Sequence, residues 1–274
     1  MAVAKYFRSM PWSTRVCIAI VCFYIFAAFF APVIAPYGET EVVGSAFDTW
    51  SSSHLLGTDN VGRDVLSRVI YGARNMLGVA VTINFLSFLL GGALGMVTAL
   101  KGGWFDEVVG RIVDAAMAIP QLILALLLIA IVGNSISVLI GIIVFLDATR
   151  VVRLTRAVSM NVVSSQFIEA ARMRGETTLW CIWFELLPNI RTPMLAEFGI
   201  RFCYVFLFIS GLNFLGVGMQ PPKADWGSMV RESSSLITFG DFTPLVPALA
   251  IAVLTISVNF IVDWLLAKTS KAHI

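Results

Sequence analysis

Apolar residues in this 274-residue chain gather into six long runs, at about 16–35, 78–100, 108–132, 136–153, 192–215 and 244–266. Each is close to the roughly 20 residues that a helix needs to cross about 30 Å of hydrocarbon. Where no water is at hand, the backbone groups of such runs find partners only inside a helix. The pattern therefore predicts an all-α membrane protein with six transmembrane helices. Gly91 and Gly95, one helical turn apart in the second run, predict close approach to a neighbouring helix of the same bundle. Pro120 removes a backbone donor within the third run and predicts a kink there.

Two of the polar connections carry a helical period of their own. Val61, Val65, Leu66, Val69 and Ile70 share one face, with Thr58 or Asp59 as cap and Gly72 as stop, which predicts a short amphipathic helix. Over 162–174, Val163, Phe167, Ala170, Ala171 and Arg174 recur at i, i+4, i+7, i+8 and i+11, and Gly175 ends the helix. Thr177 or Thr178 then caps a second short helix whose Leu179, Trp180, Ile182, Trp183 and Phe184 make a bulky apolar surface, stopped by Pro188. Two short helices about a glycine corner predict a compact knob, and the methyl-sized Ala170 and Ala171 let a partner backbone come close. On residue types alone the arginines and tryptophans fit equally well a helix lying on lipid. A nucleic-acid-reading helix-turn-helix does not fit, because spans on both sides leave little room for one.

Composition supports the membrane assignment: 58% hydrophobic and 13% charged residues, against roughly 45–50% and 25% in soluble domains. Mean hydropathy is +0.87. Lys5, Arg8 and Arg15 before an apolar run have the form of a signal peptide, but cleavage would fall at Ala35 directly before Pro36, so the run is read as a retained first span. The segments before 16, from 101 to 111, from 150 to 191 and after 267 hold 13 of the 19 Lys and Arg. Segments 36–77 and 216–243 hold five, and Arg201 lies within a span. The positive-inside rule places both termini and the Glu169 loop in the cytoplasm.

Candidate chemistry is sparse. Cys17, Cys22, Cys181 and Cys203 lie in spans or the cytoplasmic loop, where no structural disulfide is expected. His54 and His273 fall on opposite sides, so neither a metal site nor a cofactor is expected. The chain has no phosphate-binding glycine loop. If ATP drives it, another chain hydrolyses the ATP, and this one is not an enzyme. Asp114, Asp147, Arg201 and Asp263 lie in or near spans, where a charge costs roughly 2.5–3.5 kcal/mol at the centre. They either line a path or couple an ion, or they form interhelical pairs, for instance Arg201 with an aspartate, or snorkel to an interface, and pairing or snorkelling is favoured.

Three stretches carry a family resemblance. Glu169-Ala170-Ala171-Arg172-Met173-Arg174-Gly175, followed at fixed spacing by Leu187-Pro188, resembles the EAA loop of binding-protein-dependent ABC importers, with Glu185 in a position where that pattern has an aliphatic residue. The run Leu55-Leu56-Gly57-Thr58-Asp59 through Gly62-Arg63-Asp64-Val65-Leu66-Ser67-Arg68 is similar to a segment of permeases of the dipeptide/oligopeptide/nickel branch. Phe214-Leu215-Gly216-Val217-Gly218, Pro221-Pro222 and Trp226-Gly227 with Met229 resemble the shorter, C-type subunit of that branch, although Ala248 follows Pro247 where relatives commonly have glycine.

The resemblance implies a type I ABC importer-like fold in the bacterial inner membrane. Residues 1–76 would form a tail, first span and outer segment, and 77–274 a five-helix core with coupling loop 162–188. It implies a heterodimer with a second six-span permease, two ATP-binding subunits and a soluble solute-binding protein. Glu169, Ala170, Ala171, Gly175, Leu187 and Pro188 would form the ATPase-coupling contact. Asp59, Arg63, Asp64 and Trp226 would belong to the surface that docks the binding protein. The expected function is a permease subunit of an ATP-driven importer for di/oligopeptides or similarly sized solutes; dipeptides, oligopeptides, nickel chelates, glutathione and opines all stay open. An ion-gradient-coupled secondary transporter and a structural scaffold are the competing classes.

Overall fold

A computed structural model of the chain describes residues 10–270. The expectations resting on Lys5, Arg8, His273 and the placement of the two termini lie outside the described residues. The described chain is helical: α1 Trp12–Phe29, α2 Ala31–Ile34, α3 Val65–Lys101, α4 Gly103–Ala118, α5 Gln121–Val132, α6 Ile136–Val163, α7 Gln166–Met173, α8 Thr178–Trp180, α9 Leu187–Phe214, α10 Trp226–Ser233 and α11 Leu245–Ser270. A π-helical stretch Cys181–Leu186 joins α8 to α9, and a 3-10 stretch Ser234–Phe239 follows α10.

Four stretches are long and apolar enough to cross a membrane: Trp12–Phe29, Val65–Lys101, Thr178–Phe214 and Leu245–Lys268. The third expected span is not one kinked helix. α4 and α5 are separate and meet at 91° around Pro120, whose ring and missing N–H end α4 outright. Counted as one span, the pair brings the number to five. α6 has 28 residues, enough for about 42 Å, and its first half is strongly apolar, but Asp147, Arg150, Arg153 and Arg156 make its longest uncharged run shorter than theirs.

The chain forms two compact units. One comprises the described residues up to Ala80, Asn134–Ile136 and the chain from Phe202 onward; the other comprises Val81–Gly133 and Ser137–Arg201.

In the first unit α1 packs along α11, and the Tyr24 hydroxyl donates to Ala250 O at 3.2 Å. The amphipathic helix expected between Thr58 or Asp59 and Gly72 is not a separate element. Residues 57–64 form a tight loop, and the helix that starts at Val65 passes Gly72 without stopping. Gly72 has a packing reason: a Cβ there would come within 2.7 Å of the Trp226 indole.

In the second unit Gly91 and Gly95 bring α3 against α6. A Cβ at Gly91 would meet Val151 Cβ at 2.8 Å, and one at Gly95 would meet Thr155 Cβ at 2.8 Å. This is the close approach within the bundle that the glycine spacing predicts. Buried Asp147 of α6 pairs with Arg201 of α9 at 3.7 Å, and the Arg201 Nε donates to Glu197 Oε1 at 2.8 Å. The charged residues 147 and 201 are therefore partners across two helices, which offsets part of the cost of burying them.

Candidate functional site

The knob over 162–188 forms, with a different internal design from the one its periodicity predicts. α6 runs to Val163 and the chain turns at Ser164-Ser165, so the first knob helix is only Gln166–Met173. Gly175 closes it in the left-handed conformation, φ +79°. Gly175 N donates to Arg172 O and Glu176 N to Ala171 O, at 3.0 and 3.2 Å. These two bonds satisfy carbonyls that the helix end leaves free. Thr177 caps the next helix, its hydroxyl accepting from Trp180 N at 3.2 Å.

Pro188 does not stop that helix. The chain passes from Thr178 through the π-helical turn into α9 and on to Phe214. The wider i→i+5 ring displaces the carbonyl that a proline ring would meet in a regular α-helix.

The knob has a core of its own. Ile168, Ala171, Cys181, Ile182, Leu186 and Ile190 pack with Met96 and Leu100 near the end of α3. Ala171 is fully buried and Ile182 nearly so, so the expectation that both lie on the partner-facing surface is corrected. Their small and branched side chains fill the interior, and Leu187 packs half-buried beside them. Glu169, Ala170, Gly175 and Pro188 are exposed. Met173 is 84% exposed, and Leu179, Trp183 and Phe184 also face outward. Arg174 lies over the Trp180 ring at 5.8 Å. Arg172, hidden in the variable part of the E-A-A-x3-G pattern, donates to Leu100 O. It ties the knob to the last turn of α3, where the helix dipole favours a cation.

The second candidate set is built in the first unit. Asp59 Oδ1 accepts from Val61 N and Arg63 N at 2.8 and 2.9 Å, and its Oδ2 accepts from Arg63 Nε at 2.7 Å and pairs with Arg68 Nε at 3.3 Å. Asp64 caps α3, its Oδ2 accepting from Ser67 N and Oγ at 2.8 and 2.7 Å. Asp59, Arg63 and Asp64 are at most 7% exposed and Trp226 is 1% exposed. These residues thus hold the loop together and present no contact face. Trp226 donates from its indole N–H to Val69 O at 2.9 Å and lies between Tyr24 and Phe206. Burial pushes the Asp225 carboxyl above its ordinary range, outweighing its bonds to Ser228. It does the same for Glu232, outweighing Arg68 and Arg63.

Replacing Trp226 by alanine is expected to cost about 3–5 kcal/mol. A drop in the thermal midpoint of the detergent-purified protein by many degrees would register it, and an unchanged midpoint would show that the indole is not a packing centre.

Long apolar helices with a self-packed knob between two of them define a multi-pass membrane protein. The family of binding-protein-dependent transport system inner membrane components matches residues 91–271. The dipeptide transport system permease protein DppC of Haemophilus influenzae is 31% identical over 242 residues, 86% of this chain and 82% of that protein. DppC of Escherichia coli K12 is 35% identical over 252 residues, 89% and 84%. A putative peptide transport system permease of Brucella suis is 33% identical over 257 residues, 92% and 86%.

Among solved structures, the MetNI methionine ABC transporter in an inward-facing conformation superposes with a TM-score of 0.57 at 16% identity, covering 73% of this chain and 97% of that one. An amino acid ABC transporter reaches 0.52 at 16% identity, covering 73% and 92%. These two show a shared fold. The chain belongs to the family of binding-protein-dependent transport system inner membrane components, as a permease subunit of an ABC importer.

Proposed function

We propose that this chain forms half of the translocation pathway of an ATP-driven importer of di- or oligopeptides, pairing with a second six-span permease. Two ATP-binding subunits grip the knobs from the cytoplasm, and a soluble binding protein delivers solute from outside. The peptide assignment rests on the names of the relatives. α6 would be the sixth span, its charges facing protein in the manner of Asp147 with Arg201, and both termini would be cytoplasmic.

The observation that carries the reading is the knob. Its interior is fixed by its own core and by Arg172, while Glu169, Ala170 and Gly175 stay exposed. An inward-packed module whose outer face sets the small Ala170 and Gly175 among Met173, Leu179, Trp183 and Phe184 suits a cleft in a partner, whereas a helix resting on lipid has no need of an interior. ATP binding on the partner chains would shift the population of the spans between inward- and outward-open states through this contact. On the outer side, Asp59, Arg63, Asp64 and Trp226 would serve docking through the loop shape they maintain. Residues 1–76 would form the tail, first span and outer segment, and 77–274 the five-helix core.

Mild-detergent purification of the tagged chain, with mass spectrometry of everything that accompanies it, tests the proposal. Recovery of a second permease and two ATPase subunits, and solute uptake into vesicles that needs ATP, is the expected result. Uptake that persists without ATP and collapses with an ionophore would replace the reading by an ion-coupled transporter.

A further inference from the structure

A hollow of about 230 Å³ in the first unit is lined by Arg74, Asn75, Gly78, Val79, Ile136, Met219 and Lys223. Arg74 and Lys223 are exposed, and among the described residues neither has an acid partner. Two cations on the wall of one hollow repel each other, a cost that an anion between them removes.

The walls are held in place without either cation. Glu39 Oε1 accepts from Asn75 Nδ2 and from Ala224 N, both at 2.6 Å, and Asn75 Nδ2 also donates to Ala224 O at 2.9 Å. These bonds clamp the backbone next to Lys223 onto α3 one residue from Arg74. The Glu39 oxygen is thereby engaged by two donors, so Glu39 lowers the positive charge of the hollow without filling it. Met219 and Val79 are buried, and a Cβ at Gly78 would meet nothing within 4 Å. The result is a firm hollow with an apolar floor and two unengaged cationic arms, Arg74 able to make two parallel bonds to a planar carboxylate or to a phosphate.

We propose that this hollow is an oxyanion-binding site, which takes a single carboxylate or phosphate group between Arg74 and Lys223. Arg74 stands nine residues from the start of α3, about 13 Å along the helix. From that position the group could be the carboxylate of a small solute or the phosphate of a lipid headgroup. The solute source rests on the importer reading above, and the lipid source does not.

The test uses the full chain, with whatever subunits accompany it, delipidated in dodecyl maltoside, whose headgroup carries no phosphate, reading the thermal midpoint against probe concentration. Dialanine, its C-terminal amide and phosphatidylglycerol mixed into the micelles are the probes. A solute site gives a rise with dialanine and none with the amide. A lipid site gives a rise with phosphatidylglycerol alone. In either case Arg74→Gln with Lys223→Gln weakens the response about tenfold or more, while Arg74→Lys with Lys223→Arg keeps most of it. Equal responses of the Gln variant and the unaltered protein, or no response of the unaltered protein to any probe, would overturn the proposal. Because no ATP or transport enters the measurement, such a failure leaves the importer reading standing.

Discussion

Gly175→Val is expected to leave membrane insertion intact and to weaken productive coupling strongly. Gly175 sits at φ +79° with open space around the position of a Cβ. Valine meets no neighbour there, but the left-handed conformation costs an L-residue about 1–2 kcal/mol, more for a branched one. The corner between α7 and α8 would relax toward another shape and carry the exposed Ala170 face with it. Coupling free energies between sites are typically about 1–3 kcal/mol, or 5–150-fold, so uptake should fall by about tenfold or more. Hydrolysis by the ATP-binding subunits would continue without transport. Gly175→Asn, which tolerates the left-handed region, should retain most of the uptake. Normal uptake by Gly175→Val, with normal protein level, would count against the knob as the coupling element.

Arg201→Met is expected to be the most destabilising single change within the second unit. It takes the paired cation from Asp147, whose side chain is 2% exposed, and the donor from Glu197. Removing one partner of a buried pair costs about 3–5 kcal/mol because the remaining charge is left without compensation. Asp147→Ala should cost less, since Arg201 keeps Glu197. Thermal or denaturant unfolding of the three proteins in detergent gives the ranking. A milder effect of Arg201→Met than of Asp147→Ala would mean that the Arg201 guanidinium is not the centre of this cluster.

The helical, membrane-embedded class was legible from apolar runs alone, because run length and hydrocarbon thickness are tied by simple geometry. Gly91 and Gly95 were legible for a similar reason, as spacing fixes which face of a helix lacks side chains. What the sequence hid were relations between distant residues. Gly72 reads as a helix stop, yet it makes room for Trp226, more than 150 positions away. Pro120 reads as a kink, yet it ends α4 outright, and α5 leaves at 91°. Pro188 reads as an end because a local rule cannot foresee a π-helical turn before it. In the knob, period alone placed Ala170 and Ala171 together. Burial separates them, with Ala171 in the interior and Ala170 outside. Arg172 gave no signal, since a cation reaching for a carbonyl 72 residues earlier looks like any surface arginine.

The loop before α3 has the look of an address, rich in charge and in a fixed order of letters. Asp59 and Arg63 point at each other, and both Asp59 and Asp64 at backbone groups, so the order is an instruction for folding. Raising the salt concentration should scarcely loosen it, since buried pairs are little screened. Two chains that share this run are therefore declared alike in the shape of a scaffold, and the identity of what each one receives must be written in the residues left facing water.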